Sequence, residues 1–337
     1  MTGQRWIWSY MVVIAATWAS GASARAVNAA AAQEETPLHF LTLGDWGLNG
    51  DQQTEVAQAL GNVGGIFHPS FLVSVGDNFY DVGVANVTDP LWKTAFDDIY
   101  THPSLNITWY SLLGNHDHEG NISAQVAYTN VDRNRRWHMP SSWYTQVVVL
   151  PDGLTTLQFV FIDTVIMSPD FYFNELEGMV ADGRRSRSAV DAQLAKRETM
   201  RSDADVQLDW IKTTLSSSKA DWLVVAGHYP VYSGGSNGNN PDLQDDLKPL
   251  LEKYQVDAYL CGHDHELQVL HHNGVKYLVS GAGAKLGKYN PIKQNRFGAS
   301  TGGFMLQSFN STTMTINVYD TQSTVLYQEF VPRVRNL

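Results

Sequence analysis

The chain has 337 residues, 43% of them hydrophobic and 11% aromatic, with a formal net charge of −11. That length and apolar content fit one large α/β domain, or two small ones, around a sizeable core. The acidic balance argues against a general nucleic-acid binder, which needs a basic face, and against a polybasic membrane-binding surface.

The N-terminus reads as a targeting segment over residues 1–24. Arg5 supplies a positive start, residues 6–19 are uncharged and mostly apolar, and Ala22-Ser23-Ala24 offers a cleavage pattern. A later cut, as far on as Ala32, is a second option. The apolar run is short for a transmembrane helix, which needs ~20 residues. The mature protein is therefore expected to be exported and to lack a stable membrane span. A polar linker over 25–37 leads into a single catalytic domain over 38–337. Sequons at Asn86, Asn106, Asn121 and Asn310 agree with a secretory route. Cys261 is the only cysteine, so no internal disulfide can form, and it reads as a small buried hydrophobe in a strand.

From residue 38 onward, strands and helices alternate. Apolar runs predict strands over 38–43, 71–75, 108–113, 158–162, 223–226 and 256–261. Helical spacing predicts helices over 51–60, 91–100, 206–215 and 243–254. Strands that are apolar throughout imply pairing that is buried on both faces and largely parallel. The C-terminal runs 277–280, 304–309, 314–319 and 324–330 look like successive antiparallel strands. Residues 168–205, with Arg184-Arg185-Ser186-Arg187, read as an exposed loop running into a solvated helix. A Gly- and Asn-rich loop over 233–240 is expected at the mouth of a site.

Five short motifs follow strand-like runs: Gly44-Asp45-Trp46-Gly47, Gly76-Asp77-Asn78-Phe79-Tyr80, Gly114-Asn115-His116-Asp117-His118, Gly227-His228-Tyr229-Pro230 and Gly262-His263-Asp264-His265. Each puts an oxygen or imidazole donor just after a glycine at the carboxyl end of a strand, where open α/β sheets place their crevice. Any one G-D or G-N pair alone is an ordinary turn. Five together describe a metal site, and the number of donors suggests two metals, the usual apparatus for hydrolysing phosphate esters.

Asp45 and Asp77 are the anionic ligands, one of them bridging. Asn115 offers a neutral oxygen, and His228, His263 and His265 offer imidazoles. In an extended segment His263 and His265 point to one side; in a loop they fan out to two metals. Tyr80 is either a packing residue or a phenolate ligand suited to a hard ion such as Fe(III). His116 is read as a group that binds phosphate and protonates the leaving oxygen, aided by Asp117. His118 is either structural or part of the site.

This constellation resembles the purple acid phosphatases within the calcineurin-like metallophosphoesterase superfamily, from about Leu38 to the C-terminus. It is most like the small, animal-type (tartrate-resistant) members. Gly120-Asn121-Ile122-Ser123-Ala124-Gln125, Ala226-Gly227-His228-Tyr229-Pro230-Val231-Tyr232-Ser233 and Tyr259-Leu260-Cys261-Gly262-His263-Asp264-His265 carry the likeness. The resemblance implies an αββα fold, two β-sheets packed as a sandwich and flanked by helices. It implies Fe(III) on Asp45, Asp77, Tyr80 and His265, and Fe(II), Zn or Mn on Asp77, Asn115, His228 and His263. Two carboxylates and a phenolate against such ions leave about +2, enough to capture phosphate on an acidic protein.

The implied activity is acid hydrolysis of phosphate monoesters, small-molecule or on phosphoproteins, by hydroxide formed at the metals with His116 assisting. A monomer acting in a secreted or endolysosomal setting is expected. Phosphodiester or nucleotide hydrolysis on the same centre is the alternative. A non-catalytic binding protein would be marked by lost ligands, yet every ligand position is filled. Two departures from the animal members stand out: Ser236 and Asn237 replace a Glu-His pair near the site, and the single cysteine cannot form their mid-chain disulfide. The 168–205 segment corresponds to a protease-sensitive loop that restrains activity in those enzymes, so cleavage near Arg184, Arg185 or Arg187 is expected to raise turnover.

Overall fold

A computed structural model describes residues 35–335. The expected leader and most of the linker lie outside the described residues. The first half runs β1 (Leu38–Leu43), α1 (Asp51–Phe67), β2 (Phe71–Ser74), β3 (Thr108–Ser111), α2 (Asn115–Glu119), α3 (Ile122–Tyr128), β4 (Trp137–His138), β5 (Tyr144–Val149) and β6 (Thr156–Phe161). Helices α4 (Thr164–Met167), α5 (Pro169–Ala181), α6 (Arg187–Leu194) and α7 (Arg197–Ser217) precede β7 (Trp222–Ala226). Then come α8 (Pro241–Asp246), α9 (Lys248–Lys253), β8 (Ala258–Cys261), β9 (Leu267–His272) and β10 (Val275–Ser280). The chain closes with β11 (Asn295–Ala299), β12 (Gly303–Phe309), β13 (Thr313–Asp320) and β14 (Val325–Pro332).

Two seven-stranded sheets result, ordered β14-β13-β12-β1-β2-β3-β4 and β11-β9-β10-β8-β7-β6-β5. The central strands β1-β2-β3 of one sheet and β6-β7-β8 of the other are parallel. Strands β12 to β14 add antiparallel neighbours to the first sheet, as the C-terminal pattern predicts, whereas the run 277–280 falls in β10 of the second sheet, antiparallel to β9 but parallel to β8.

Alternation along the strands explains the layers. Phe159 and Phe161 of β6 face the other sheet, where Phe159 meets Phe40 edge-to-face at 5.2 Å. Val160 and Ile162, one residue out of step, pack with Tyr172, Leu176, Ile211 and Leu251 of the covering helices. The second sheet is thus buried on both faces, which is why its strands read as continuous apolar runs. Val56, Leu60 and Val63 of α1 join the main core from the first sheet's side. The arrangement is the αββα sandwich.

Residues 168–205 correct the sequence reading. They are not a loop but two helices and the start of a third. Tyr172, Leu176 and Met179, spaced i, i+4, i+7, bury one face of α5. The longest irregular stretch among them is the turn from Asp182 to Ser186, between α5 and α6. The predicted helix over 91–100 is a short π-helical turn at Trp92–Asp97, and the one over 243–254 is broken at Leu247 into α8 and α9. Strands β5 and β9 lacked a clear sequence signal. In β5 only alternate residues are shielded; β9 follows the last ligand motif with no intervening turn signal.

Candidate metal centre

All five motifs fall at the carboxyl ends of β1, β2, β3, β7 and β8, so ligands from both sheets meet at one edge. Backbone bonds tie that edge together. The His263 amide donates to Asp45 Oδ2 (2.9 Å), and the Gly44 amide donates to the Ser280 carbonyl (2.9 Å). Two glycines are required for close approach. A Cβ on Gly114 would stand 2.2 Å from Asp77 Oδ1, and one on Gly262 would stand 2.3 Å from Asp45 Oδ2. Asp45, Asp77 and His263 themselves adopt left-handed backbone (φ 59°, 50° and 69°), which turns their side chains into the crevice.

The donors form two groups. In the first, Tyr80 Oη lies 2.9 Å from Asp77 Oδ2, 3.2 Å from Asp45 Oδ1 and 3.3 Å from His265 Nε2. One phenolic hydrogen can serve only one of these three acceptors at a time. In the second, His228 Nε2 lies 2.9 Å from Asn115 Oδ1 and 3.5 Å from Asp77 Oδ1. His228 Nδ1 must donate to the Val75 carbonyl (2.8 Å), so in the neutral ring Nε2 presents a lone pair to two oxygen acceptors. Asp77 faces both groups with its two oxygens and is placed to bridge. Asp45, Asp77 and His228 each bring a ligand atom within 4.8 Å of the others, all buried. More acceptor lone pairs converge here than there are hydrogens to fill them, an arrangement that fits cations. Their spacings match the roughly 2.8–3.6 Å separating ligands on one metal with bonds of about 2.0–2.2 Å.

Electrostatics agree. Burial would raise the Asp77 carboxyl, but His228, His116 and His263 outweigh it and hold the group well below the usual carboxylate range. Burial, then Asp77 and Asp45, push the Tyr80 hydroxyl well up, so without a cation it stays protonated. Burial opposes protonation of His263, but Glu175 and nearby carboxylates carry it up to about 9.

The remaining predicted residues separate. His116 borders the cavity, with Nδ1 2.6 Å from the Asp81 carbonyl, 3.5 Å from Glu119 Oε1, and its ring 4.5 Å from that of Tyr80. Asp117 is not turned to His116. Its carboxylate accepts from the amides of Gly114 and Asn78 and from the side chains of Asn78 and Gln125. Burial first, then Asp77, raises Asp117 to about 6 despite these bonds. His118 pairs with Asp163 at 2.9 Å, away from the donors above. Cys261 is a buried free thiol in β8, as expected.

The donors open into a cavity of about 570 Å³ bordered also by Ser236, Asn237, Glu175, Arg184, Arg185 and Lys285. Three residues near it escaped the sequence reading, and a fourth, Arg185, was read only as a cleavage position. Glu119 sits one helical turn after His116 and binds Arg185 through both oxygens (2.5 and 2.9 Å). Arg185 also donates to the Asp81 carbonyl (2.7 Å), the acceptor it shares with His116. Glu175 comes from α5, and Lys285 from the loop after β10. Glu119 was findable, being i+3 from His116 on a helix; the others carry no local motif.

Comparison with known proteins supports the same frame. The calcineurin-like phosphoesterase family matches residues 38–267. Tartrate-resistant acid phosphatase type 5 of Oryctolagus cuniculus is 36% identical over 327 residues, covering 90% of this chain and 93% of its own length. Purple acid phosphatase 7 of Arabidopsis thaliana is 36% identical, covering 86% of this chain and 85% of its own. Among solved structures, GAP50, the anchor in the inner membrane complex of Plasmodium, superposes with a TM-score of 0.73 at 25% identity, covering 89% of this chain and 90% of its own. With its sandwich, its five strand-end motifs and its matched span, the chain belongs to the calcineurin-like phosphoesterase family.

Proposed function

We propose that the protein is an acid phosphatase that hydrolyses phosphate monoesters at a binuclear Fe(III)–M(II) centre, M being Fe, Zn or Mn. The observation that carries this reading is Tyr80 Oη set among Asp45, Asp77 and His265. A phenolic oxygen inside a carboxylate and imidazole set suits a hard trivalent ion. Asp45, Asp77, Tyr80 and His265 would hold Fe(III); Asp77, Asn115, His228 and His263 would hold the divalent ion. When bound, the pair supplies a water-derived nucleophile and charge to stabilise the phosphoryl group in the transition state.

The chain's own groups do the rest. His116 borders the cavity with Nδ1 on the Asp81 carbonyl, which leaves Nε2 free to face the leaving oxygen and donate its proton. Glu119 Oε1 lies 3.5 Å from the same Nδ1, while both Glu119 oxygens accept from Arg185. Asp117 acts as a positioning residue, fixing Gly114 and Asn78 and through them the two ligand turns. The leader and sequons read from the sequence support a secreted or endolysosomal setting.

The deciding experiment is an absorption spectrum of the purified protein with Tyr80→Phe as control, beside turnover of a nitrophenyl monoester and a bis-nitrophenyl diester. A visible band lost in the control and a preference for the monoester support the reading. A colourless, fully metallated protein moves it to a Zn or Mn phosphoesterase with Tyr80 in a packing role; a preference for the diester moves it to a phosphodiesterase on the same centre.

A further inference from the structure

One contact at the centre is not that of an ordinary ion pair. His263 Nε2 lies 2.9 Å from Glu175 Oε1, yet it is buried and has no hydrogen bond, because the two atoms are out of line. A hydrogen bond at that distance needs the N–H to point at the oxygen. Two ligands of one metal need only share its sphere, and the same spacing separates His228 Nε2 from Asn115 Oδ1. Glu175 is also held for the task. Tyr229 donates to Glu175 Oε2 at 2.7 Å, so Oε1 is the oxygen turned to His263. Phe171 and Tyr229 wall the pair, with ring centroids 6.0 and 4.6 Å from that of His263. Leu176 and Met179 root α5 in the helical core, which fixes where Glu175 projects.

We propose that Glu175 is an additional, monodentate ligand of the divalent ion held by Asn115, His228 and His263. This rests on the metal assignment above for that half of the centre. A further carboxylate makes the divalent site harder and more oxygen-rich, which favours Mn(II) and Fe(II) relative to a site of imidazoles and one shared carboxylate. It also makes α5, an element outside the five motifs, part of the centre.

The test is chelator competition on the full-length protein with Glu175→Gln, measuring dissociation constants for Zn(II) and Mn(II). A ligand role weakens both by at least about tenfold, the scale on which even outer partners of a metal act, and weakens Mn(II) more. Tyr229→Phe, which removes only the hydroxyl that holds Glu175, weakens both in the same direction by less, and keeps the question answerable if Glu175→Gln folds poorly. If Glu175 is merely the counter-ion of a protonated His263, removing it relieves competition, and both ions bind equally well or tighter; that result overturns the proposal. The visible band reports separately on iron. Its absence from the unaltered protein removes the Fe(III)–phenolate reading, while the divalent-ion constants still decide the role of Glu175.

Discussion

The ammonium nitrogen of Lys285 stands 3.8 Å from the ring centroid of Tyr80. Gln52 of α1 fixes the loop that carries it, donating to the Ala282 and Lys285 carbonyls (3.3 and 3.1 Å). A cation over an aromatic face stabilises the ring's electrons. With Tyr80 bound to Fe(III), that lowers the donor orbital of the phenolate-to-iron transition and raises its energy. Lys285→Met is therefore expected to move the visible band to longer wavelength, and Lys285→Arg to leave it nearly in place. Absorption spectra of the three proteins at equal iron content check this.

His116 and Asp117 are adjacent in sequence but differ in what they do. His116→Asn is expected to cut kcat by about 10²–10⁴, the range for a lost general acid, with metal content unchanged. Asp117→Asn turns an amide N–H towards donors that now bond to a carboxylate. It is expected to lower stability by about 1–3 kcal/mol, read in urea unfolding, with a secondary loss of turnover. Equal loss of turnover without loss of stability in the two variants would return Asp117 to a direct role.

Gly262→Ala places a methyl 2.3 Å from Asp45 Oδ2. The carboxylate must move, and in the proposed assignment Asp45 would hold only the iron. Metal analysis is expected to show iron falling well below the divalent ion, with the fold retained by circular dichroism.

Asp257 lies away from the metals and accepts from the Leu223 amide at 2.8 Å. Burial raises its carboxyl from 3.8 to about 6, despite that bond and the nearby cations. The folded state thus binds the proton more tightly than the unfolded chain. Its stabilising contribution is complete below pH 3.8 and is lost as pH rises through about 6. A gap of about two pH units corresponds to on the order of 3 kcal/mol. Asp257→Asn is expected to raise Tm at pH 7 and to change it little at pH 4, as thermal melts at the two pH values would show.

Arg184 within the α5–α6 turn and Arg187 at the start of α6 are exposed, whereas Arg185 is tied to Glu119 and the Asp81 carbonyl at the cavity. Limited trypsin digestion after Arg184 or Arg187 is expected to free this tether and raise turnover of bulky phosphate esters. Fragment masses with initial rates check it; cleavage there at constant turnover counts against a restraining role.

The sequence displayed the centre more completely than the scaffold. Asp45, Asp77, Tyr80, Asn115, His228, His263 and His265 were all legible, because each sits in a glycine-led turn directly after an apolar strand, a local pattern. Glu175, Arg185 and Lys285 were not. Each reaches the cavity through the packing of a distant element; the basic cluster around Arg185 reads only as a cleavage site, and nothing marks the neighbours of Glu175 or Lys285. The helices over 168–205 were hidden for a related reason. Their buried faces are narrow, as with Val190 alone on α6, so charge dominates the local composition. The antiparallel strands β12 to β14 were recovered because apolar residues alternate with polar ones, as Met314, Ile316 and Val318 do with Thr315 and Asn317.

Asp45, Asp77 and His263 hold left-handed backbone angles, which cost an ordinary L-residue roughly 1–2 kcal/mol each and glycine nothing. The strain is tolerable only while the side chains do work that glycine cannot. A descendant released from selection for hydrolysis would be free to relieve that strain by exchanging these three positions. In such a lineage the sandwich would outlast its chemistry, and its loss of activity would be recorded first at the positions where the backbone is most strained.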